Sequence, residues 1–262
     1  MAAEGDILLA IDIGNTNVSV GAFAGDELKA SWRLSTDRRR MADEYRPLLG
    51  ELLRQQGWTF QFIRAAAIAS VVPPVLQQLS NALASERVEV LVLSAALDFG
   101  LPIQYAPPES VGADRLANAI AVQDTYGRPA IIVDLGTATT LDVLDAGGTY
   151  IGGAIAPGIE TSVDGLFESA FALPRLELRA PERAIGGTMV ESIRSGTVLG
   201  WAALVDGLID RFATEIEGEP VVVATGGLAP LIAPHSKRVN HVDLDLTLKG
   251  LRMAYWRVGA RS

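Results

Sequence analysis

One short grammar is written twice in this chain. AIDIGNTNVSVG (10–21) climbs an apolar strand into Asp12-Ile13-Gly14, passes through asparagine and threonine, and turns apolar again. AIIVDLGTATTLDVLD (130–145) does the same through Asp134-Leu135-Gly136. The copies lie 134 − 12 = 122 residues apart in a chain of 262. A spacing near half the chain predicts two copies of one α/β domain, since solenoid repeats recur roughly every 20–50 residues. Each half is long enough to bury its own core.

The other elements fit two such halves, 1–127 and 128–262, joined near Tyr126-Gly127-Arg128-Pro129. In the first, LLAIDIG and VSVGAF read as strands around a tight loop, and LKASWRLS alternates like a third. Met41, Tyr45, Leu48, Leu49, Leu52 and Leu53 mark a helical face interrupted by Pro47. AAAIASVV and EVLVLS follow as strands, with a helix carrying Leu76, Leu79 and Leu83 between them. In the second half TYIGGAIAP is the strand after the repeated hairpin, and helices are expected around Ser162–Phe171 and Met189–Ile216. VVVATGG reads as a buried strand and GLRMAYWR as a closing helix. Strands in meandering groups followed by helices predict two mixed sheets with helices packed on them.

Composition removes several chemistries. There are no cysteines, so thiol catalysis, disulfides and thiolate metal sites are excluded. The net charge of −9 disfavours nucleic acid and anionic membranes as partners. Glu4 and Asp6 at the start argue against a secretory leader, and no apolar run approaches the ~20 residues of a membrane span, so a cytoplasmic protein is expected. His235 and His241 read as surface or structural residues.

Asp12-Ile13-Gly14-Asn15-Thr16-Asn17 could be a plain hairpin turn, because Asn and Gly supply the backbone angles that turns need. A plain turn does not call for an acid at the end of a buried strand, where an unpaired charge is costly, and still less for one in both copies. The functional alternative is a pair of phosphate loops facing a cleft. Gly14 lets backbone N–H groups approach phosphate oxygens, and Asn15, Thr16 and Asn17 add short donors. A carboxylate ~4 Å from a phosphate charge costs about 4 kcal/mol at an effective dielectric of 20, so the acids make sense only with a cation. The loops therefore imply Mg²⁺, with a monovalent ion as a further candidate, beside Asp12, Asp134 and a nucleotide.

No Gly-x-Gly, Gly-Lys, His-Glu-x-x-His or Gly-x-Ser-x-Gly occurs, which removes Rossmann, Walker, zincin and hydrolase motifs. Ala224-Thr225-Gly226-Gly227, at the end of Val221-Val222-Val223, is a strand-to-helix turn whose glycines could let adenosine lie against backbone. In PPESVGADRLANAIAV (107–122) a helix is expected from near Gly112. Asp114 could simply favour its positive end, with Arg115 a solvated partner. Alternatively Asp114 is a general base and Arg115 binds an anionic acceptor, as phosphoryl transfer requires.

With these residues assembled, the chain resembles the type III pantothenate kinase family of the acetate kinase, hexokinase, actin and Hsp70 superfamily. The likeness runs nearly end to end, through DIGNTN (12–17), STDRRRMADEY (35–45), SVVPP (70–74), GLPIQY (100–105), VGADR (111–115), VDLGTATT (133–140), GGAIAPG (152–158), ALPRLEL (172–178), SGTVLG (195–200), ATGGLA (224–229) and DLTLKGLR (245–252).

The resemblance implies two duplicated ribonuclease-H-like domains with mixed five-stranded sheets, a homodimer with the active site near its interface, and ATP-dependent phosphorylation of pantothenate, the first step of coenzyme A synthesis. By that likeness Asp12, Ile13, Gly14, Asn15, Thr16, Asn17, Val18, Ser19 and Thr137 hold ATP phosphates, with Gly226 and Gly227 at the adenosine. Asp134 holds K⁺ or NH₄⁺, and Asp12 is the Mg²⁺ candidate. Tyr105, Gly112, Ala113, Asp114 and Arg115 contact pantothenate, with Asp114 the proton acceptor. The family reads Ile-Gly-x-Asn-Thr before valine, its threonine touching substrate from the neighbouring subunit. Here the stretch is IGGTMV (185–190), with Met189 at the threonine position, and Thr188 could substitute by a one-residue shift. Two other readings follow from the residues: a non-catalytic nucleotide-binding relative, and a kinase for another small hydroxy acid. Gly196, Gly200, Ala202, Ala203 and Gly207, among Trp201, Leu204 and Leu208, suit either a core helix or a close helix contact in a dimer. Arg38-Arg39-Arg40 reads as a solvated face, with steering of ATP as the alternative.

Overall fold

The computed structural model describes residues 6–169 and 177–259. Ala172–Leu176 of the ALPRLEL stretch and Phe171 at the expected helix end lie outside these residues. The chain divides into two compact units: residues 1–101, 106–121 and 246–262, and residues 102–105 and 122–245.

In the first unit, β1 (Ile7–Ile13), β2 (Asn17–Ala24), β3 (Glu27–Ser35), β4 (Ile63–Ser70) and β5 (Glu89–Val92) form one sheet in the order β3-β2-β1-β4-β5. The first three strands are an antiparallel meander, and β4 and β5 run parallel to β1. β1 is buried on both faces, because each face carries helices. Its odd residues Ile7, Leu9, Ile11 and Ile13 join Tyr45, Leu49 and Leu53 of α1 (Ala42–Arg54) and Val75, Leu79 and Leu83 of α2 (Pro73–Ser85). α1 is continuous through Pro47, which removes one backbone donor without ending the helix. The remaining α-helices are α3 (Ala113–Thr125), whose last turn is counted with the second unit, and α7 (Leu246–Gly259). Leu248 of α7 lies against Gly21 of β2, and Gly250 of α7 lies so close to Ala117 of α3 that a Cβ would overlap its carbonyl. The closing helix, grouped by sequence with residues 128–262, therefore packs in the first unit.

The second unit repeats the plan. β6 (Ala130–Leu135), β7 (Ala138–Leu144), β8 (Tyr150–Pro157), β9 (Val221–Thr225) and β10 (His241–Val242) form a sheet in the order β10-β9-β6-β7-β8. Its antiparallel meander and parallel partners match those of the first sheet strand for strand. Ile131, Val133 and Leu135 of β6 and Leu141 and Val143 of β7 pack on Val198, Ala202, Val205 and Ile209 of α5 (Met189–Ala213). α4 (Ile159–Ser169) follows β8, and the short α6 (Ala229–Ile232) follows β9. No helix among the described residues is long and apolar enough to cross a membrane.

Candidate active site

Each Asp-x-Gly sequence closes the hairpin of its own sheet. In the first unit Asp12 lies opposite Ser19 of β2 and Ala69 of β4. The backbone N–H of Gly14 donates to the Asn17 carbonyl at 2.9 Å, so the turn spans Gly14, Asn15 and Thr16. Asn15, Thr16 and Asn17 are exposed, whereas Ile13 and Val18 anchor the loop in the core. The end of β3 docks on this turn. Thr36 donates its N–H to the Thr16 carbonyl at 2.9 Å and its hydroxyl to the Gly14 carbonyl at 2.6 Å. Arg38 Nη2 donates to Asn15 Oδ1 at 3.2 Å. Sequence reasoning left Thr36 unassigned and gave Arg38 only as part of a basic run with steering of ATP as its alternative role, although both lie in the STDRRRMADEY stretch.

In the second unit Asp134 lies opposite Thr140 of β7 and Thr225 of β9. The turn is shorter, and Gly136 N–H donates to the Ala138 carbonyl at 3.1 Å. Gly226 brings its backbone against this carboxylate. A Cβ there would stand 2.6 Å from Asp134 Oδ1 and 2.6 Å from the Leu135 carbonyl carbon, and its φ of +89° also favours glycine. Gly226 therefore has a packing reason apart from any ligand, and the strand-to-turn reading of 224–227 holds. Gly158 stands immediately before α4 and faces the Thr137 carbonyl with no room for a Cβ. Thr161 donates its hydroxyl to that same carbonyl at 3.3 Å. The positive end of α4 thus abuts the Gly136-Thr137 turn, a disposition that favours an anion there. Gly158 and Thr161 were not singled out; the signal was the glycine ending GGAIAPG.

The Gly112–Arg115 segment opens α3. Leu116 N–H donates to the Gly112 carbonyl at 3.1 Å, and Arg115 N–H donates to Asp114 Oδ1 at 2.9 Å. A Cβ at Gly112 would collide with that carboxylate oxygen, so glycine there makes room for Asp114. Arg115 is only 7% exposed, which sets aside the solvated-partner alternative. Tyr105 belongs to the second unit and packs edge-on against Tyr150, ring centroids 6.2 Å apart. Tyr150 donates its hydroxyl to the buried Asp142 at 2.6 Å. Tyr105 therefore stands on a support fixed by a hydrogen bond in the core.

Thr188 is the N-cap of α5: its hydroxyl accepts from Glu191 N–H at 3.2 Å, while the Glu191 carboxylate accepts from Thr188 N–H at 3.1 Å. The Thr188 hydroxyl keeps its own proton to donate. Met189, 55% exposed, begins the helix. Along α5, Gly196, Gly200, Ala203 and Gly207 are exposed at spacings of four, three and four, whereas Ala202 is buried.

Among the described residues no cluster of three His, Cys, Asp or Glu side chains exists. Asp134 Oδ1 lies among glycine and backbone atoms, and Asp12 lies at the foot of a loop of N–H and amide donors. One carboxylate apiece suits a cation that takes its other ligands from phosphate and water, as Mg²⁺ commonly does.

Residues 8–211 match the family model described as "Type III pantothenate kinase". The type III pantothenate kinase of Thermomicrobium roseum is 50% identical over 96% of this chain and 98% of its own. That of Moorella thermoacetica is 46% identical over 96% and 99%. Among solved structures, the activator of the 2-hydroxyisocaproyl-CoA dehydratase from Clostridium difficile with bound ADPNP superposes with a TM-score of 0.60 over 97% of each chain, at 14% identity. The ROK hexokinase from Thermus thermophilus gives 0.52 over 97% of this chain and 99% of its own, also at 14%. At such identity these two speak for the fold, the duplicated architecture of actin-like ATPases.

Proposed function

Because the chain belongs to the type III pantothenate kinase family, we propose how its residues divide the work of that reaction. The protein is a kinase that transfers a phosphoryl group from ATP to pantothenate, in coenzyme A synthesis. The observation that carries this activity is the near-complete likeness to curated pantothenate kinases, at 50% and 46% identity.

The loop from Asp12 to Ser19 and Thr137 hold the phosphates of ATP through backbone N–H groups and short side chains. The exposed Asn15-Thr16-Asn17 tip and the end of α4 at the second turn support that role. Gly226 and Gly227 lie against the adenosine. Asp114 accepts the proton of the acceptor hydroxyl as the oxygen attacks the γ-phosphorus and the bond to the β,γ-bridging oxygen breaks to release ADP, and Arg115 with Tyr105, Gly112 and Ala113 orients pantothenate. Such a transfer is catalysed chiefly by positioning and charge stabilisation, so rigid placement of the base matters as much as its basicity. The start of α3 supplies that rigidity, since Asp114 is hydrogen-bonded to the next backbone N–H. Asp12 would hold Mg²⁺ and Asp134 a monovalent ion, K⁺ or NH₄⁺. The ions would supply neutralisation of phosphate charge that the two carboxylates alone would oppose.

The protein works as a homodimer through α5. Four small residues on its exposed face leave room for another backbone to approach, which a core helix would not need there. Thr188, at the start of that helix, takes over the substrate contact from the family threonine. Sedimentation of the native protein and of Gly200→Arg tests the assembly: a dimer converted to monomer is expected, and a monomeric native protein would end the proposal. Identification of the phosphorylated product across a panel of hydroxy acids tests the acceptor. Phosphopantothenate as the dominant product is expected; preference for another acid would favour the alternative kinase.

A further inference from the structure

The run Arg38-Arg39-Arg40 has no place in the roles above, yet its three side chains have three different surroundings. The Arg40 guanidinium lies 5.4 Å from the centroid of the buried Tyr45 ring, a structural contact with α1. Arg39 is exposed, and its backbone N–H is tied to the Asp37 carboxylate at 2.9 Å. Arg38 alone of the three is bonded to the first Asp-x-Gly loop, through Asn15 Oδ1 at 3.2 Å.

That contact is braced by its own chain segment. Two residues earlier, Thr36 is joined to the same loop at two points, the carbonyls of Gly14 and Thr16. The chain emerging from β3 therefore has little freedom to carry Arg38 away. The pair is also open to solute, since Asn15 and Arg38 are both exposed. A guanidinium has five N–H donors in a planar fork, so the bond to Asn15 leaves donors for a second acceptor.

The loop itself lacks a cation. Residues 12–19, 134–140 and 224–227 contain no Lys or Arg, and 12–19 and 134–140 each include an aspartate. The whole chain carries −9. A polyphosphate coming to such a loop needs positive charge from elsewhere, and Arg is well suited to phosphate oxygens. We propose that Arg38 is a phosphate-binding residue of the first loop, held by Asn15 and Thr36 so that its guanidinium contacts the terminal phosphates of the nucleotide. The inference rests on the reading of residues 12–19 as an ATP loop.

The test measures binding of ATP, ADP and AMP, together with steady-state turnover, for the native protein, Arg38→Ala, Arg38→Lys and the control Arg39→Ala. Arg38→Ala is expected to weaken ATP and ADP about tenfold, the loss of a charge-assisted hydrogen bond, while AMP changes less than about twofold. Arg38→Lys should recover part of the loss, Arg39→Ala should match the native protein, and the KM for ATP should rise more than kcat falls. Equal weakening of all three nucleotides would overturn the proposal, because a loop merely distorted by loss of its brace would not single out the outer phosphates. Unchanged ATP binding in Arg38→Ala, with normal native binding, removes Arg38 alone. Absence of ATP binding by the native protein removes the loop assignment and Arg38 with it.

Discussion

At the scale of single residues, the acids and glycines of the two hairpins could be read from the sequence because their cost is local. An aspartate ending a buried strand is expensive wherever the chain folds, so its repetition signals a use. Asp12 and Asp134 accordingly occupy corresponding positions on the first strand of each sheet. Thr36 and Arg38 could not be read this way, since their bonds cross about twenty residues to a loop that only strand pairing brings near. Asp114→Asn keeps the shape of the α3 start but removes the proposed proton acceptor, and kcat should fall about 10²–10⁴-fold with near-native ATP binding. A different residue-scale prediction concerns Tyr126. Burial, then the Asp243 carboxylate that accepts its hydroxyl at 3.0 Å, pushes its pKa up from the usual 10.0 to about 12. The folded chain then holds this proton more tightly than the unfolded one. Its contribution to stability is complete below pH about 10 and is lost as pH rises through about 12. Denaturant titrations over that window should show a shallower decline for Tyr126→Phe than for the native protein; identical slopes would contradict the assignment.

At the scale of elements, alternation and helical periodicity located the strands around both hairpins and most helices. What escaped has a physical reason. β10 is two exposed residues paired in parallel with Val223 and Ala224, too short for any period to register. α7 begins at Leu246, before the apolar face of GLRMAYWR, because Leu246 and Leu248 are buried against the sheet. Its packing yields a prediction: Gly250→Ala drives a Cβ into the Ala117 carbonyl, and overpacking of this kind should cost about 1–3 kcal/mol, visible as a lowered unfolding midpoint. At the start of α5, Thr188→Ala should cost about 1 kcal/mol through loss of the cap alone. If Thr188 also donates to substrate, KM for pantothenate rises in the same variant. An unchanged KM with the stability loss would leave it a cap only.

At the scale of the whole molecule, the duplication was legible from the 122-residue offset, and the strand orders of the two sheets repeat it. The membership of the last helix was not. Sequence adjacency puts 246–262 with the second half, whereas burial of Leu246, Leu248 and Leu251 puts it with the first unit. On the proposed reading of the two acidic loops as ATP loops, their lack of basic residues means that the nucleotide must bring or meet a cation. The most direct measurement of the central claim is ADP release by the native protein with ATP, Mg²⁺ and K⁺, with and without pantothenate, beside Asp114→Asn. Release that requires pantothenate and collapses in Asp114→Asn is the predicted result. Pantothenate-independent release, or turnover undiminished in Asp114→Asn, would contradict it.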